Sequence, residues 1–359
     1  VIAVDTDINI FPERRSFEGH GRFTLQNKTA QPIPQIHLTD AQESISEVKF
    51  DRPFHRVSQS PRNFYSIYAL ETPLQPGETV RLEFKTSQTA RGFKEGNERP
   101  QLAYNGTFFD LSYFPVIGYD PNGELSEPRR RVEAHLPPLE EMPPRGDAWG
   151  SKFNVFSTDS DWITYHTIVS TSDDQIAIAP GYLKRDWREK GRHYFEYDMG
   201  QTKVLNFHAY LSGRYAVKAV KHGDVNIEVY HDPAHPYDVD DMISAAQDGL
   251  DYFTKNFSDF QYKQYRILEY PRYRSFAQSF PNTIPFSEAI GFIGRVTSPD
   301  DIDMTYFVVA HELAHQWWAH QLVGGKVQGS NMMSEALAEY SALRVMAKKY
   351  GEDNMRKFL

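Results

Sequence analysis

The sequence predicts a multidomain chain, in which an all-β N-terminal domain, residues 1–217, is followed by an α+β domain, residues 218–359. Three observations carry that prediction: a length of 359 residues, short alternating runs as far as about Gly213, and long helix-period windows near the C-terminus. Domains typically hold about 100–200 residues, so this length asks for two cores. Hydrophobic residues make up 40% of the chain, aromatics 14% and charged residues 24%, which suits a globular chain able to bury those cores and not a disordered one.

The N-terminal half reads as strands. Arg81-Leu82-Glu83-Phe84-Lys85 alternates after the Pro76-Gly77 turn, and Tyr165-His166-Thr167-Ile168-Val169 alternates before Ser172-Asp173-Asp174. The proline-rich stretch from Leu136 to Gly146 predicts a connector, because proline has no N–H to give to a central ladder. One more alternating run, Val225-Asn226-Ile227-Glu228-Val229, opens the second half, and a helical window follows over 238–257. A strand is predicted over 265–270, a turn-rich segment over 279–285, and two long helices at about 299–321 and 334–350. For the first of these helices Ser298 supplies an N-cap, Pro299 suits the first helical position, and Asp301 lies three residues after the cap.

A formal net charge of -9 and a pI near 5.8 argue against nucleic acid and anionic lipid as partners, since both need a surplus of Lys and Arg. Cysteine is absent, so no thiolate can act as nucleophile or ligand, and any metal must be held by His and carboxylates. No stretch approaches the roughly 18 apolar residues that would span a bilayer. The chain opens on Val1 and closes in a helix-like segment after Gly351, which reads as a piece cut from something longer.

The chemistry concentrates in His311-Glu312-Leu313-Ala314-His315. On a helix, positions i and i+4 share a face, so His311 and His315 can chelate one ion. Glu312 lies beside them on the adjoining face, where it can act as general base on water without ligating; this is the arrangement that the H-E-x-x-H motif of metalloproteases requires, with Zn2+ as the metal. A catalytic zinc has three protein ligands and an open position. Glu335, on the second long helix, is the third donor expected here. Glu339, one turn on, is either a hydrogen-bond partner of a ligand imidazole or a solvated helix residue. His320 departs by one residue from the metzincin spacing and reads as a structural or exposed histidine, while Trp317 and Trp318 read as core.

These residues resemble the gluzincin zinc aminopeptidases related to aminopeptidase N and leukotriene hydrolase. His311 to Trp318 (HELAHQWW) is similar to the family's HELAHQW segment, and Glu335-Ala336-Leu337-Ala338-Glu339-Tyr340 to its E-G-F-A-x-Y segment with the third zinc ligand. Pro285 to Ile293 (PFSEAIGFI) aligns with the G-A-M-E-N-W-G-L-I exopeptidase motif, which implies that Glu288 holds the free α-amine of a peptide substrate. Phe114 to Pro121 is similar to the F-P-C-F-D-E-P segment that ends the family's β domain. Departures are Pro285-Phe286-Ser287 for Gly-Ala-Met, Ala289 for Asn, Ser334 for Asn, and one extra residue between His315 and Glu335.

The resemblance implies a β-sandwich or saddle-like domain followed by a thermolysin-like catalytic domain truncated at its C-terminus. It implies one zinc per chain and hydrolysis of the N-terminal bond of peptides. The family's transition-state tyrosine would fall past Leu359. The segment from His315 to Met346 most resembles a divergent bacterial branch in which such a domain is attached to a transport-type membrane protein, which implies an extracytoplasmic, periplasmic location. The competing expectation is a non-catalytic, zinc-containing peptide-sensing or interaction domain of a transport-type membrane protein; the intact Glu312 argues against it.

Overall fold

A computed structural model describes residues 1–40, 43–90, 101–119, 124–156, 161–294, 298 and 301–356. Its N-terminal part is built of sheets. The largest has Tyr182–Glu189 and Ile45–Phe50 at its edges, and between them Arg192–Asp198, Trp162–Ser172, Ala3–Phe11, Ser16–Gln26 and Thr79–Thr89. Ala3–Phe11 runs parallel to Trp162–Ser172 and antiparallel to Ser16–Gln26. Alternation explains which face is buried: in Thr79–Thr89 the side chains of Val80, Leu82, Phe84 and Thr86 turn inward. The Phe84 ring lies over Gly21 so closely that a Cβ there would sit 2.1 Å from it, so glycine at this point makes room for an aromatic core residue.

A four-stranded sheet organises the second half, in the order Ala216–His222, Val225–His231, Gln264–Tyr270 and Thr283–Ser287; its last two pairings are parallel. Every residue of Gln264–Tyr270 is buried, because both faces of this strand are covered. Tyr265 and Ile267 face the helical core, whereas Leu268 and Tyr270 pack with Phe108, Ala209 and Leu211 of the N-terminal sheets. Arg266, turned the same way as Leu268, donates to the carbonyl of Ala179 at 2.7 Å and to Thr283 Oγ1 at 2.7 Å. This strand is one of the places where the two halves join.

In chain order the helices are α1 (Pro128–Glu133), α2 (Val239–Asn256), α3 (Met304–Ala314), α4 (Glu335–Tyr350) and α5 (Glu352–Met355). α2 crosses between two parallel strands and packs on α3, where Gly249 admits the side chain of Leu313: a Cβ would lie 2.7 Å from Leu313 Cδ2. α3 packs in turn against α4 through Ala338, Ala342 and Val345. None of the helices among the described residues is long and apolar enough to cross a membrane.

Two sequence expectations are corrected. The helix expected over 299–321 is only α3, residues 304–314. Its cap is Asp303, whose carboxylate accepts from the N–H of Tyr306 at 2.9 Å; Ser298 and Asp301 form a turn ahead of it, and Pro299 lies outside the described residues. A short Asp side chain one residue before the helix satisfies an end donor that Ser298 is too far upstream to reach. The helix stops after Ala314 and the chain turns through Trp318 to a positive φ at Ala319.

The segment expected to be turns, 279–285, instead makes a hairpin. Phe280 and Thr283 exchange backbone hydrogen bonds, Gln278 donates to the carbonyl of Pro285 at 3.1 Å, and Ser287 donates to that of Phe276 at 3.1 Å. Residues 276–280 thereby add an antiparallel edge to the four-stranded sheet. Pro281-Asn282, which reads as a breaker, is only its tip.

Candidate metal centre

His311 lies on the last turn of α3. His315 is the cap residue just beyond and keeps helical dihedrals, so the i, i+4 relation survives the end of the helix. Their Nε2 atoms are 3.0 Å apart. Glu335 opens α4, and its Oε2 lies 3.5 Å from His311 Nε2 and 3.4 Å from His315 Nε2. His315 Nδ1 meets the carbonyl of Trp318 at 3.1 Å; donating there leaves the Nε2 lone pair directed at the common centre.

Three donors from two elements therefore surround one point. Ligands on a tetrahedral ion with bonds of about 2.0–2.1 Å stand about 3.3–3.4 Å apart. The observed separations of 3.0, 3.4 and 3.5 Å match that spacing closely, and two imidazoles with a carboxylate are a zinc-type donor set. Among the described residues this group counts three donors. Glu335 is held well below the usual carboxylate range by its contacts with His311 and His315. Burial opposes a proton on His315, but Glu335 and Glu312 outweigh it, so its pKa is raised.

Glu312 is 6% exposed, and burial pushes its carboxyl up against the opposing pull of His315 and His311. It lines the same cavity as the three donors, a space of about 140 Å³. The opposite wall is formed by Ala277, Gln278 and Ser279 of the hairpin edge, with Phe156 and Phe207 from the N-terminal half. The hairpin is clipped to α3 and to the segment just past it: Ser279 Oγ donates to the carbonyl of Glu312 at 2.8 Å, Gln316 Nε2 donates to Ser279 Oγ and, at 2.9 Å, to the carbonyl of Phe280, and Gln316 Oε1 accepts from Asn282 N–H at 3.0 Å. Sequence reasoning missed Gln278, Ser279 and Gln316. The signal was present at Gln316, a polar residue one position past the second histidine on a buried segment, which needs partners.

The other residues singled out from sequence separate. Glu339 Oε2 lies 3.4 Å from His311 Nδ1, within ion-pair reach, but no aligned hydrogen bond joins them, and that buried nitrogen has no other partner among the described residues. His320 turns away from the centre and meets the carbonyl of Ser279 at 2.9 Å; burial pushes its pKa down to about 4. Trp317 fills the core against Phe253 and Phe260, and Trp318 donates to Ser341 Oγ at 2.9 Å.

Glu288 does not line this cavity. It follows Thr283–Ser287 at the far end of that strand, where Oε1 accepts from the N–H of Arg272 at 3.1 Å and Oε2 lies 4.0 Å from His235 Nδ1. The alignment on its Glu and the following Gly selected the strand behind the edge, whereas the segment facing the metal donors is Ala277-Gln278-Ser279. The cluster of His235, Glu269 and Glu288 is satisfied internally: Glu269 takes His235 Nδ1 on one oxygen and the N–H of Asp232 on the other, each at 2.5 Å.

No protein-family model and no curated protein sequence matches the chain. Solved structures do. The M1 zinc metallopeptidase from Deinococcus radiodurans aligns over 99% of this chain and 72% of its own, at 17% identity and a TM-score of 0.64. A mutant of the Deinococcus radiodurans metallopeptidase bound to a Tyr-Ser-Ala substrate aligns over the same shares at 17% identity and a TM-score of 0.60. A two-domain M1 zinc metallopeptidase mutant bound to L-arginine gives 17% and 0.62, again over 99% and 72%. The chain thus has the β-rich, multidomain fold of these M1 zinc metallopeptidases, which are gluzincins.

Proposed function

We propose that the chain is a zinc peptidase, with His311, His315 and Glu335 holding the ion and Glu312 as general base. The observation that carries this reading is the convergence of three donors at 3.0–3.5 Å beside a buried carboxyl, in a cavity bounded by an open strand edge. Zinc, when bound, supplies a Lewis acid that polarises a carbonyl and acidifies water.

The chain's own residues do the rest. Glu312 takes a proton from the attacking water at its carboxylate oxygen. As the C–N bond breaks, it passes that proton to the leaving amine. The edge at 276–280 offers the substrate a backbone. In this hairpin the N–H and C=O of Ala277 and the N–H of Ser279 point away from the partner strand and take no hydrogen bond among the described residues. An extended peptide can pair with them by strand addition.

The narrower aminopeptidase reading draws on the resemblance of several segments, of which the one that carries Glu288 lies away from the cavity. The competing reading is a non-catalytic, zinc-containing peptide-sensing or interaction domain. Glu312→Gln separates the two. A peptidase keeps its zinc, measured by elemental analysis, and loses peptide turnover by about 10²–10⁴-fold. Equal turnover by this variant and the unaltered chain would remove the proposal.

A further inference from the structure

A separate cavity lies in the N-terminal half and shares no lining residue with the one over the metal donors. It encloses about 630 Å³, within the range of about 300–1,000 Å³ that small-ligand sites occupy. One wall is Ile45–Phe50, an edge of the largest sheet. The other is a second sheet of the N-terminal half, in the order Phe54–Ser60, Tyr65–Leu74, Ile33–Thr39 and Val116–Ile117. Register decides what this second sheet turns toward the cavity. Leu38 stands opposite Ser66 and Ser66 opposite Gln59, while Tyr68, two residues on along the same face, stands opposite Arg56. The same face carries Ile36 and Leu70 into the hydrophobic core, so the cavity is where that core gives way to polar side chains. Both strands that border the opening are bulged: Ser46 and Val57 are each an extra residue against the neighbouring strand. Bulged edges resist an added strand, so the gap suits a short molecule and not a long extended chain.

The lining offers three kinds of complement. Leu38, Phe54 and Tyr68 supply apolar surface. Ser46, Gln59 and Ser66 supply hydroxyl and amide groups that make no side-chain hydrogen bond among the described residues. Arg56 and Glu43 supply one charge of each sign, and neither has an ion pair among the described residues. The other two acids of the lining are taken. Asp40 accepts from the N–H of Ser44 at 2.9 Å and that of Ile45 at 2.8 Å, and Glu47 pairs with Lys49 and, at 2.7 Å, with Lys85. A peptide group asks for donors and acceptors together, a terminal carboxylate for a guanidinium, and a terminal ammonium for a carboxylate.

We propose that this cavity is a binding site for short peptides with apolar side chains and both termini free, with Arg56 holding the carboxylate and Glu43 the ammonium. The site needs no metal, so the inference stands apart from the peptidase reading.

Amide hydrogen exchange locates the bound peptide and tests the two anchors. Leu-Gly-Phe is titrated into the zinc-loaded chain carrying Glu312→Gln, and protection is expected at residues 45–48 and 54–60. Capping the peptide's carboxylate as an amide, or its amine with acetyl, should each weaken binding read at those amides by about tenfold, the worth of one charge-assisted hydrogen bond. Adding Arg56→Gln should weaken Leu-Gly-Phe by the same factor and abolish the effect of the amide cap, and adding Glu43→Gln should do the same for the acetyl cap. Gly-Gly-Gly, which has no apolar side chain, should protect neither segment. Protection confined to residues 277–280, caps without effect on binding, cap effects that persist in Arg56→Gln and Glu43→Gln, or equal protection by Gly-Gly-Gly would each overturn the proposal. Failure of the peptidase reading looks different: the two segments are protected as expected, yet the zinc-loaded unaltered chain cleaves no peptide.

Discussion

Burial pushes the carboxyls of both Glu312 and Glu269 upward, but the two residues respond to different neighbours. Glu312 faces two imidazoles across a cavity, whereas Glu269, 4% exposed, is closed in by His235 and the N–H of Asp232 and is pushed up to about 7. The pKa of His235 is also raised: burial opposes its proton, but the hydrogen bond to Glu269 together with the charges of Glu269, Asp232 and Glu288 outweighs it. Both shifts act in one direction. The folded chain keeps a proton that the unfolded chain releases above a carboxyl's usual pKa, so the stability this pair contributes is present at low pH and declines as pH rises through about 7. Between pH 5 and pH 8 the unaltered chain should lose more stability in denaturant titrations than Glu269→Gln does; parallel pH profiles would refute this account of the pair. At this scale the sequence was most legible where spacing alone decides contact. His311 and His315 meet because a helix turns once between them, while the partner of Glu288 depends on where a strand ends, and nothing local encodes that.

Between the elements, the clip from α3 to the hairpin edge decides the shape of the site. Gln316 is fully buried and binds the outer arm of the hairpin and its tip, through the carbonyl of Phe280 and the N–H of Asn282. Gln316→Ala would strand the buried N–H of Asn282, at a cost of about 1–3 kcal/mol, and leave the carbonyl of Phe280 with the N–H of Thr283 as its remaining partner. It should lower the thermal midpoint and speed amide exchange at residues 277–280 relative to the strand Gln264–Tyr270; unchanged exchange at the edge would mean that Gln316 does not hold it. The edge was the element least legible in sequence. Pro281 and Asn282 are strong turn signals, and they describe the hairpin tip correctly, yet the short arms on either side gain their strand character from the sheet they join and not from their own composition. The start of α3 was misjudged for a related reason: Ser298-Pro299 is a good local signal, but Asp303 bonds the helix's own N–H groups.

Across the whole molecule, the two halves share the strand Gln264–Tyr270, whose faces serve different cores, and Phe156 and Phe207 of the N-terminal half reach the cavity over the metal donors. The β-rich half was readable from alternation, and the helices from their 3.6-residue period. How the halves meet was not, because Arg266 reads in sequence as a surface cation and becomes a buried link only when Ala179 and Thr283 are brought to it. The central claim, that His311, His315 and Glu335 hold a single ion, is tested most directly by zinc content per chain after dialysis. The unaltered chain and Glu288→Gln should each retain about one zinc, and His311→Ala and Glu335→Ala should retain almost none. Full zinc retention in Glu335→Ala, or loss of zinc in Glu288→Gln, would contradict the account.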